Sequence, residues 1–195
     1  MKNLMLMLLV ASLLACAGPG KTKQNAAVYD FGLPIAIAAS QRVMAETVVG
    51  EILAADEINH QQIRYRLNYE NPSRVFSYTE SRWAATPAEL LTSKFGTLIQ
   101  QGSKSTGCAL KLKVQVFDHV FSSPTASEGL VQLSAVLLDR KSRKIIAYEL
   151  VAEQVAALSA NAQGGAKALA LAGEKALVKA VNWANVEAEK TASCQ

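Results

Sequence analysis

The sequence has few of the residues that build metal sites and catalytic centres. It contains two histidines, His60 and His119, and three cysteines among 195 residues. The histidines lack the paired spacing of a zinc site, and there is no C-x-x-C pair. The G-x-S-x-G elbow of many hydrolases is absent as well. We therefore predict a protein that is not an enzyme and that holds neither a metal nor a cofactor.

One short arrangement suggests a hydrolase at first sight, because Ser122 follows closely after Asp118 and His119. Asp118 and His119 are adjacent on a predicted strand, so their side chains point to opposite faces and cannot share the geometry of a catalytic triad. We expect His119 to be an exposed residue near a strand end.

Long hydrophobic runs are also lacking. The apolar segment of residues 4–14 would rise only about 16 Å as a helix, roughly half the thickness of a bilayer's hydrocarbon core. Lys2 precedes this segment and Ala15-Cys16 follows it. That is the layout of a secretory signal and not of a permanent transmembrane span.

Leu13-Leu14-Ala15-Cys16 resembles the lipobox of bacterial lipoproteins. The resemblance implies that residues 1–15 are removed as a signal peptide and that acyl chains on Cys16 anchor the protein stably in a membrane. Ala17 stands where an Asp favours retention in the inner membrane. This implies a position on the inner leaflet of the outer membrane of a Gram-negative envelope, facing the periplasm. The alternative is an ordinary signal cleaved after Ala15 or Ala17, with Cys16 incidental.

The rest of the chain is predicted to form a tether followed by one domain. Residues 16–27 are rich in Gly, Pro, Lys, Gln and Asn, a composition that cannot bury a core and predicts flexibility. Residues 28–195 are long enough for a single domain with its own core. The net charge is +4, but the basic residues are scattered, so nucleic acid is not an expected partner.

Two thiols remain beyond Cys16, those of Cys108 and Cys194. An oxidising periplasm permits a disulfide between them, which we predict. Two free buried thiols are the alternative.

The first half of the domain predicts several strands and one helix. Strands are expected at 28–33, 42–53, 63–69 and 75–78 from their β-branched content, apolar alternation and flanking turn residues. Thr86 and Glu89 form a capping box with Pro87 at the first helical position, which predicts a helix that ends near Gly102.

The second half predicts three strands and a long helix. Leu110, Leu112, Val114 and Val116 alternate with polar residues. Residues 130–138 and 145–151 flank a hairpin turn and are apolar on both faces, as in central strands. A stripe of small residues predicts a helix over 163–186. The expected fold is therefore α+β, with a single mixed, mainly antiparallel sheet and two long helices packed on it.

A segment rich in tyrosine, arginine and tryptophan, residues 64–91, is the candidate recognition surface, because aromatic and arginine side chains anchor desolvated contacts. We single out Arg66, Tyr78, Arg82 and Trp83 as partner-binding candidates. The alternative is that the aromatic residues are core. We expect Trp83 to be largely buried against the first helix and Arg82 to point outward, because a charge resists burial without a partner.

The same segment resembles the ABC-type transport auxiliary lipoproteins, which include the paraquat-inducible lipoprotein C type. The typical sequence motif of that family is matched here by Tyr65, Arg66, Tyr69, Pro72, Tyr78, Arg82, Trp83, Pro87, Leu90 and Leu91. Further likeness lies in residues 29–32, in residues 116–124, in Gly164-Gly165 and in Trp183.

The resemblance implies a non-catalytic auxiliary or scaffolding subunit of a transporter that spans the envelope and carries phospholipid or a related apolar compound. The implied partners are an MCE-domain protein and an ABC permease and ATPase, each a separate chain, and a homo-oligomer is compatible with this role. A free-standing lipoprotein that aids outer-membrane assembly is the alternative.

The anchor is testable by replacing Cys16 with Ser. Cys16→Ser should abolish acylation, because serine has no thiol to form the thioether, and precursor should accumulate. Metabolic labelling with radioactive palmitate checks this, and normal labelling of the variant would refute the anchor.

Overall fold

The structure is a computed structural model that describes residues 25–33, 42–102 and 107–195. Cys16, the signal segment and most of the predicted tether lie outside the described residues. The strands are β1 (Ala27–Tyr29), β2 (Val43–Ala45), β3 (Val48–Ala54), β4 (Gln62–Leu67), β5 (Phe76–Trp83), β6 (Ile99–Gln101), β7 (Cys108–Ser123), β8 (Ala126–Asp139) and β9 (Ile145–Ala156). The helices are α1 (Pro87–Leu98) and α2 (Ala162–Glu189).

The main sheet is built around β7, which is 16 residues long. Along one edge β7 pairs antiparallel with β8, which in turn pairs antiparallel with β9. Along its other edge β7 pairs in parallel, first with β3 and then with β4. β5 follows β4 in antiparallel register, and β1 pairs in parallel with β5. The predicted α+β class, with a mixed and mainly antiparallel sheet, is confirmed.

Both helices pack on one face of this sheet. Thr86 Oγ1 accepts from the Glu89 N–H, and Glu89 Oε2 accepts from the Thr86 N–H at 2.8 Å, so the predicted capping box is present. The helix ends at Leu98, before the predicted Gly102, because β6 then pairs with β2 in a small second sheet. The stripe of small residues on α2 is buried as predicted, and a Cβ on Gly129 would lie only 2.4 Å from Leu169 N. The helix therefore lies directly on the sheet.

Three strand predictions were wrong in whole or in part. The first strand ends at Tyr29, so residues 30–33 of the predicted strand 28–33 are not in a strand. Residues 42–53 form two strands, β2 and β3, which pair with different sheets. Residues 145–151 belong to β9, whose only strand neighbour among the described residues is β8, so β9 is an edge strand and not a central one. Its apolar side chains lie on both faces, but helices cover only one of them, and on the other face Ile145 and Tyr148 are 69% and 59% exposed.

A bulge in β7 also changes the predicted alternation. Val114 pairs with Leu133 and Val116 with Gln132, so β7 carries one extra residue at this point. An extra residue reverses the faces of everything that follows it. Phe117 therefore joins Leu110 and Val114 in the core beneath the helices, and Val116 lies on the other face.

A disulfide joins Cys108, at the start of β7, to Cys194 near the C-terminus. Both sulfur-bearing residues are buried together with Leu137 and Ala188. The bridge joins two cysteines that are 86 positions apart in the sequence and fixes the segment after α2 to the sheet.

We predict that Cys194→Ser lowers the free energy of unfolding by about 4 kcal/mol, because the unfolded chain regains the entropy of an open loop of this length. Urea denaturation measures this loss. Mass spectrometry of the unreduced wild-type protein must also show two hydrogens fewer than the reduced protein. Two free thiols in that spectrum would contradict the bridge.

Candidate partner-binding surface

Trp83, a partner-binding candidate from the sequence, is 0% exposed. Its ring packs against Phe31, at 5.9 Å between centroids, and against Phe117, at 5.6 Å. Trp83 is therefore part of the core, which confirms the expected burial, and its ring contacts are with residues after β1 and on β7. It is not available to a partner, so the partner-binding assignment of Trp83 is wrong.

Arg82 has the opposite environment. It is exposed, and its Nη1 donates to Gln61 Oε1 at 2.8 Å. It pairs with Gln62 in the register of β4 and β5, on the face that also carries Arg64. The alternation of the strand thus separates Trp83 below the helices from Arg82 on the other side of the sheet.

Arg66 belongs to a buried charge cluster that the sequence interpretation missed. Arg66 Nε donates to Asp118 Oδ2, and its Nη1 donates to the Pro72 carbonyl at 3.1 Å. Arg64 Nε lies 2.9 Å from Asp118 Oδ1, and Arg64 Nη1 donates to the Glu57 carbonyl at 2.9 Å. The Asp118 carboxylate is 0% exposed, so two guanidinium groups replace its lost hydration.

We call Arg64, Arg66 and Asp118 the arginine–aspartate cluster. It joins β4 to β7, since the parallel register sets Arg64 beside Asp118. Loss of Asp118 would leave two largely buried cations with no counter-charge, the kind of change that costs about 3–5 kcal/mol. The guanidinium group of Arg66 is bonded inside the fold, and the side chain is only 24% exposed. Arg66 therefore presents little positive charge at the surface.

Tyr78 lies on the helix-covered face and shares a hydrogen bond with His119. Its hydroxyl is 2.9 Å from His119 Nδ1. His119 is fully buried, which contradicts the expectation of an exposed residue near a strand end. The reason is the bulge in β7, which turns His119 toward α2, where a Cβ on Gly165 would meet the imidazole ring. Asp118 and His119 do point to opposite faces, as predicted.

Burial controls the protonation of this pair. It lowers the pKa of His119 from 6.5 to about 4, because the charged imidazolium would lose its water. Burial also raises the pKa of Tyr78, with a smaller contribution from Tyr65. Both groups are therefore neutral near pH 7.

Tyr78 and His119 are part of an aromatic cluster with Tyr65, Phe76 and Phe121. The Tyr65 ring stacks on Phe76 at 5.1 Å and lies 4.7 Å from Tyr78. His119 lies 4.4 Å from Phe121. Arg74 covers Phe76 at 4.5 Å, a cation–π contact. Tyr65, Phe76 and Tyr78 are only partly buried, so part of the cluster reaches the surface.

The face of the sheet opposite the helices, which we call the open face, exposes apolar side chains. On β9 these are Ile145, Tyr148 and Leu150, which are 69%, 59% and 46% exposed. Half-buried Val136 and Leu138 continue the surface on β8. Apolar side chains that are clustered, and not scattered singly, are typical of interaction surfaces.

Within the described ranges, no group of three or more His, Cys, Asp or Glu residues is arranged to hold a metal. His60 is occupied locally, since its Nε2 donates to the Glu57 carbonyl at 3.0 Å and its Nδ1 accepts from the Gln62 N–H at 3.2 Å. Among the described helices, none is both long and apolar enough to cross a bilayer.

Comparison with known proteins adds evidence on the fold. No protein-family model and no curated protein sequence matches the chain. A crystal structure of a Xanthomonas campestris protein, described as a DUF330 protein, superposes with a TM-score of 0.66 over 84% of this chain and 97% of its own, at 17% identity. The crystal structure of an uncharacterised protein gives a TM-score of 0.55 at 12% identity, covering 83% of this chain and 98% of its own. At these identities the likeness establishes a shared fold.

The arginine–aspartate cluster left a signal in the sequence that could have identified it. Arg64 and Arg66 are two residues apart on one strand, so they share a face, and Asp118 interrupts an otherwise apolar strand. A buried carboxylate requires cationic partners, and two arginines on a neighbouring strand would satisfy it. His119 left no comparable signal, because its burial depends on the bulge.

We predict that His119 makes the domain lose stability as the pH falls from about 6.5 to about 4. Because the folded-state pKa is the lower one, the unfolded chain binds the proton first, and each pKa unit of difference corresponds to about 1.4 kcal/mol. His119→Gln, which still offers Tyr78 a hydrogen bond, should flatten this part of the profile. Urea denaturation at pH 7, 6, 5 and 4 measures both proteins, and parallel profiles would contradict the assignment.

Proposed function

We propose that this chain is an envelope lipoprotein anchored through Cys16, whose domain serves as a non-catalytic auxiliary subunit of a transporter that spans the envelope. Its partner is an MCE-domain protein that works with an ABC permease and ATPase, and the cargo is phospholipid or a related apolar compound. The domain acts by docking its partner while the acyl chains hold it at the outer membrane.

The observation that carries the docking role is the open face. The helices cover one face of the sheet, whereas the other exposes Ile145, Tyr148 and Leu150 on an edge strand. Arg82 lies on the same face and is exposed. Apolar and arginine side chains together supply the buried centre and the charged rim of a protein interface.

The resemblance to the ABC-type transport auxiliary lipoproteins supplies the partner and the cargo. Its residues Trp83, Pro87, Leu90 and Leu91 are buried here. Trp83, Leu90 and Leu91 belong to one core cluster, so they are packing positions of the fold. The likeness at these positions supports a similar fold, and the transporter assignment rests on the resemblance of the whole sequence motif.

The proposal makes opposite predictions for two adjacent residues. Trp83→Ala should lower the free energy of unfolding by about 3–5 kcal/mol, because it removes a buried ring from the core. Arg82→Ala should melt like wild type and lose the MCE-domain partner on co-purification from solubilised membranes. Thermal melts and co-purification of both variants decide between a structural and a binding role.

A second pair of variants tests the open face against a matched control. Leu150→Lys places a charge on the open face, and Leu171→Lys places one on α2, where the side chain is similarly exposed at 50% against 46%. Only Leu150→Lys should reduce recovery of the partner. Normal recovery with Arg82→Ala and with Leu150→Lys would reject the surface, and wild-type recovery of outer-membrane assembly proteins alone would favour the alternative role.

A further inference from the structure

A groove of about 840 Å³ runs between strand β3 and the first turns of helix α1. Residues 51–54 of β3 form one wall, and Ala88, Glu89 and Thr92 of α1 form the other. Ile52 is buried beneath the helix, while Leu53 is 51% exposed. The groove is therefore bounded by a strand on one side and by a helix on the other, with an apolar floor.

The strand that forms this wall has a free edge. β3 pairs only with β7 among the strands described, and no described side chain or backbone group outside that ladder bonds the backbone of residues 51–54. Because alternate backbone groups of a strand point to its two edges, part of the N–H and C=O groups of this segment face the groove. A free edge beside a helix is the geometry in which some domains bind an extended peptide as an added strand.

The charge of the groove specifies the peptide. Glu51, Asp56 and Glu89 line it against a single base, Lys113. Hydrogen bonding by the Thr86 backbone lowers the pKa of Glu89, which keeps that carboxylate ionised. The groove is thus acidic in a chain whose net charge is +4. Electrostatic complementarity favours a basic ligand and rejects an acidic one.

We propose that the β3–α1 groove binds an extended peptide of a partner protein by strand addition, with basic side chains of the peptide facing Glu51 and Asp56 and small apolar ones facing Ile52 and Ala88. Residues 52–54 pair with β7 in unbroken register after the irregularity between Val49 and Ile52, so the regular part of this wall is about 10 Å of strand, enough for three residues of the peptide. Lys113 is in register with Ser134 and Leu150, so the groove adjoins the open face at this residue. The proposal does not depend on the proposed transport role.

The probe is an octapeptide of alternating lysine and valine with blocked termini, added to the full chain purified from membranes. Hydrogen exchange followed by mass spectrometry should show protection of residues 51–54. The same peptide with alternate backbone nitrogens methylated should give little protection, because it cannot complete the ladder. The glutamate–valine peptide should not bind.

Variants locate the binding. Glu51→Lys should weaken binding of the lysine–valine peptide by at least about tenfold, since it replaces attraction with repulsion. The matched control is Glu149→Lys on the exposed edge strand β9, which should bind as wild type does. Thr92→Trp should block the groove sterically, with an unchanged melting temperature as evidence of folding.

Three results would overturn the proposal. The first is no protection of residues 51–54 at millimolar lysine–valine peptide. The second is equal weakening by Glu51→Lys and Glu149→Lys, which means non-specific charge attraction. The third is equal protection by the methylated peptide, or protection that appears on β9 instead, which would assign the binding to another edge.

Discussion

The structure depends on strand β7, in which a bulge halfway along reverses the faces to which the side chains point. Along one edge β7 pairs first with β3 and then with β4, and along its other edge it pairs with β8 over its whole length. The extra residue between Val114 and Val116 lets both halves of β7 present apolar side chains to the helices. Without it, Phe117 and His119 would lie on the open face, and Asp118 would be set beneath α2 without either arginine. The core and the arginine–aspartate cluster therefore both follow from this bulge.

The buried charges contribute more to the specificity of the fold than to its stability. Two arginines and one aspartate are expensive to desolvate, and an apolar replacement of the whole cluster could be as stable. Their geometry works only when Arg64 lies beside Asp118 on β7. A slip of β4 by one residue would set both arginines on the helix-covered face and strand the carboxylate. We infer that the cluster selects this register among alternatives of similar apolar burial.

Local signals predicted local structure well. The capping box at Thr86 and the small-residue stripe of α2 depend on neighbours in sequence, and both appear where they were expected. The split of residues 42–53, the edge position of β9 and the burial of His119 depend on pairing with distant strands. Of the surface candidates, the burial of Trp83 and the exposure of Arg82 followed from strand alternation together with the cost of burying an unpaired charge. The partners of Arg66 and Tyr78 could not be predicted in this way, because Asp118 and His119 are more than forty residues away in the sequence.

The order of the strands bears on how an anchored domain would meet its partners. β1, which follows the predicted tether, lies at one end of the sheet, and β9 lies at the other. The eleven residues from Cys16 to Ala26 can extend at most about 40 Å, so the acyl anchor proposed on Cys16 would hold the start of β1 within that distance of the membrane. The exposed side chains of β9 are then at the edge of the sheet farthest along the strand order from the anchor. Arg82 lies on β5 beside Val28 of β1, whereas Tyr148 lies on β9 at the other end of the sheet. The surface proposed for docking therefore crosses the whole sheet, and a partner that fills it would contact both ends of the strand order.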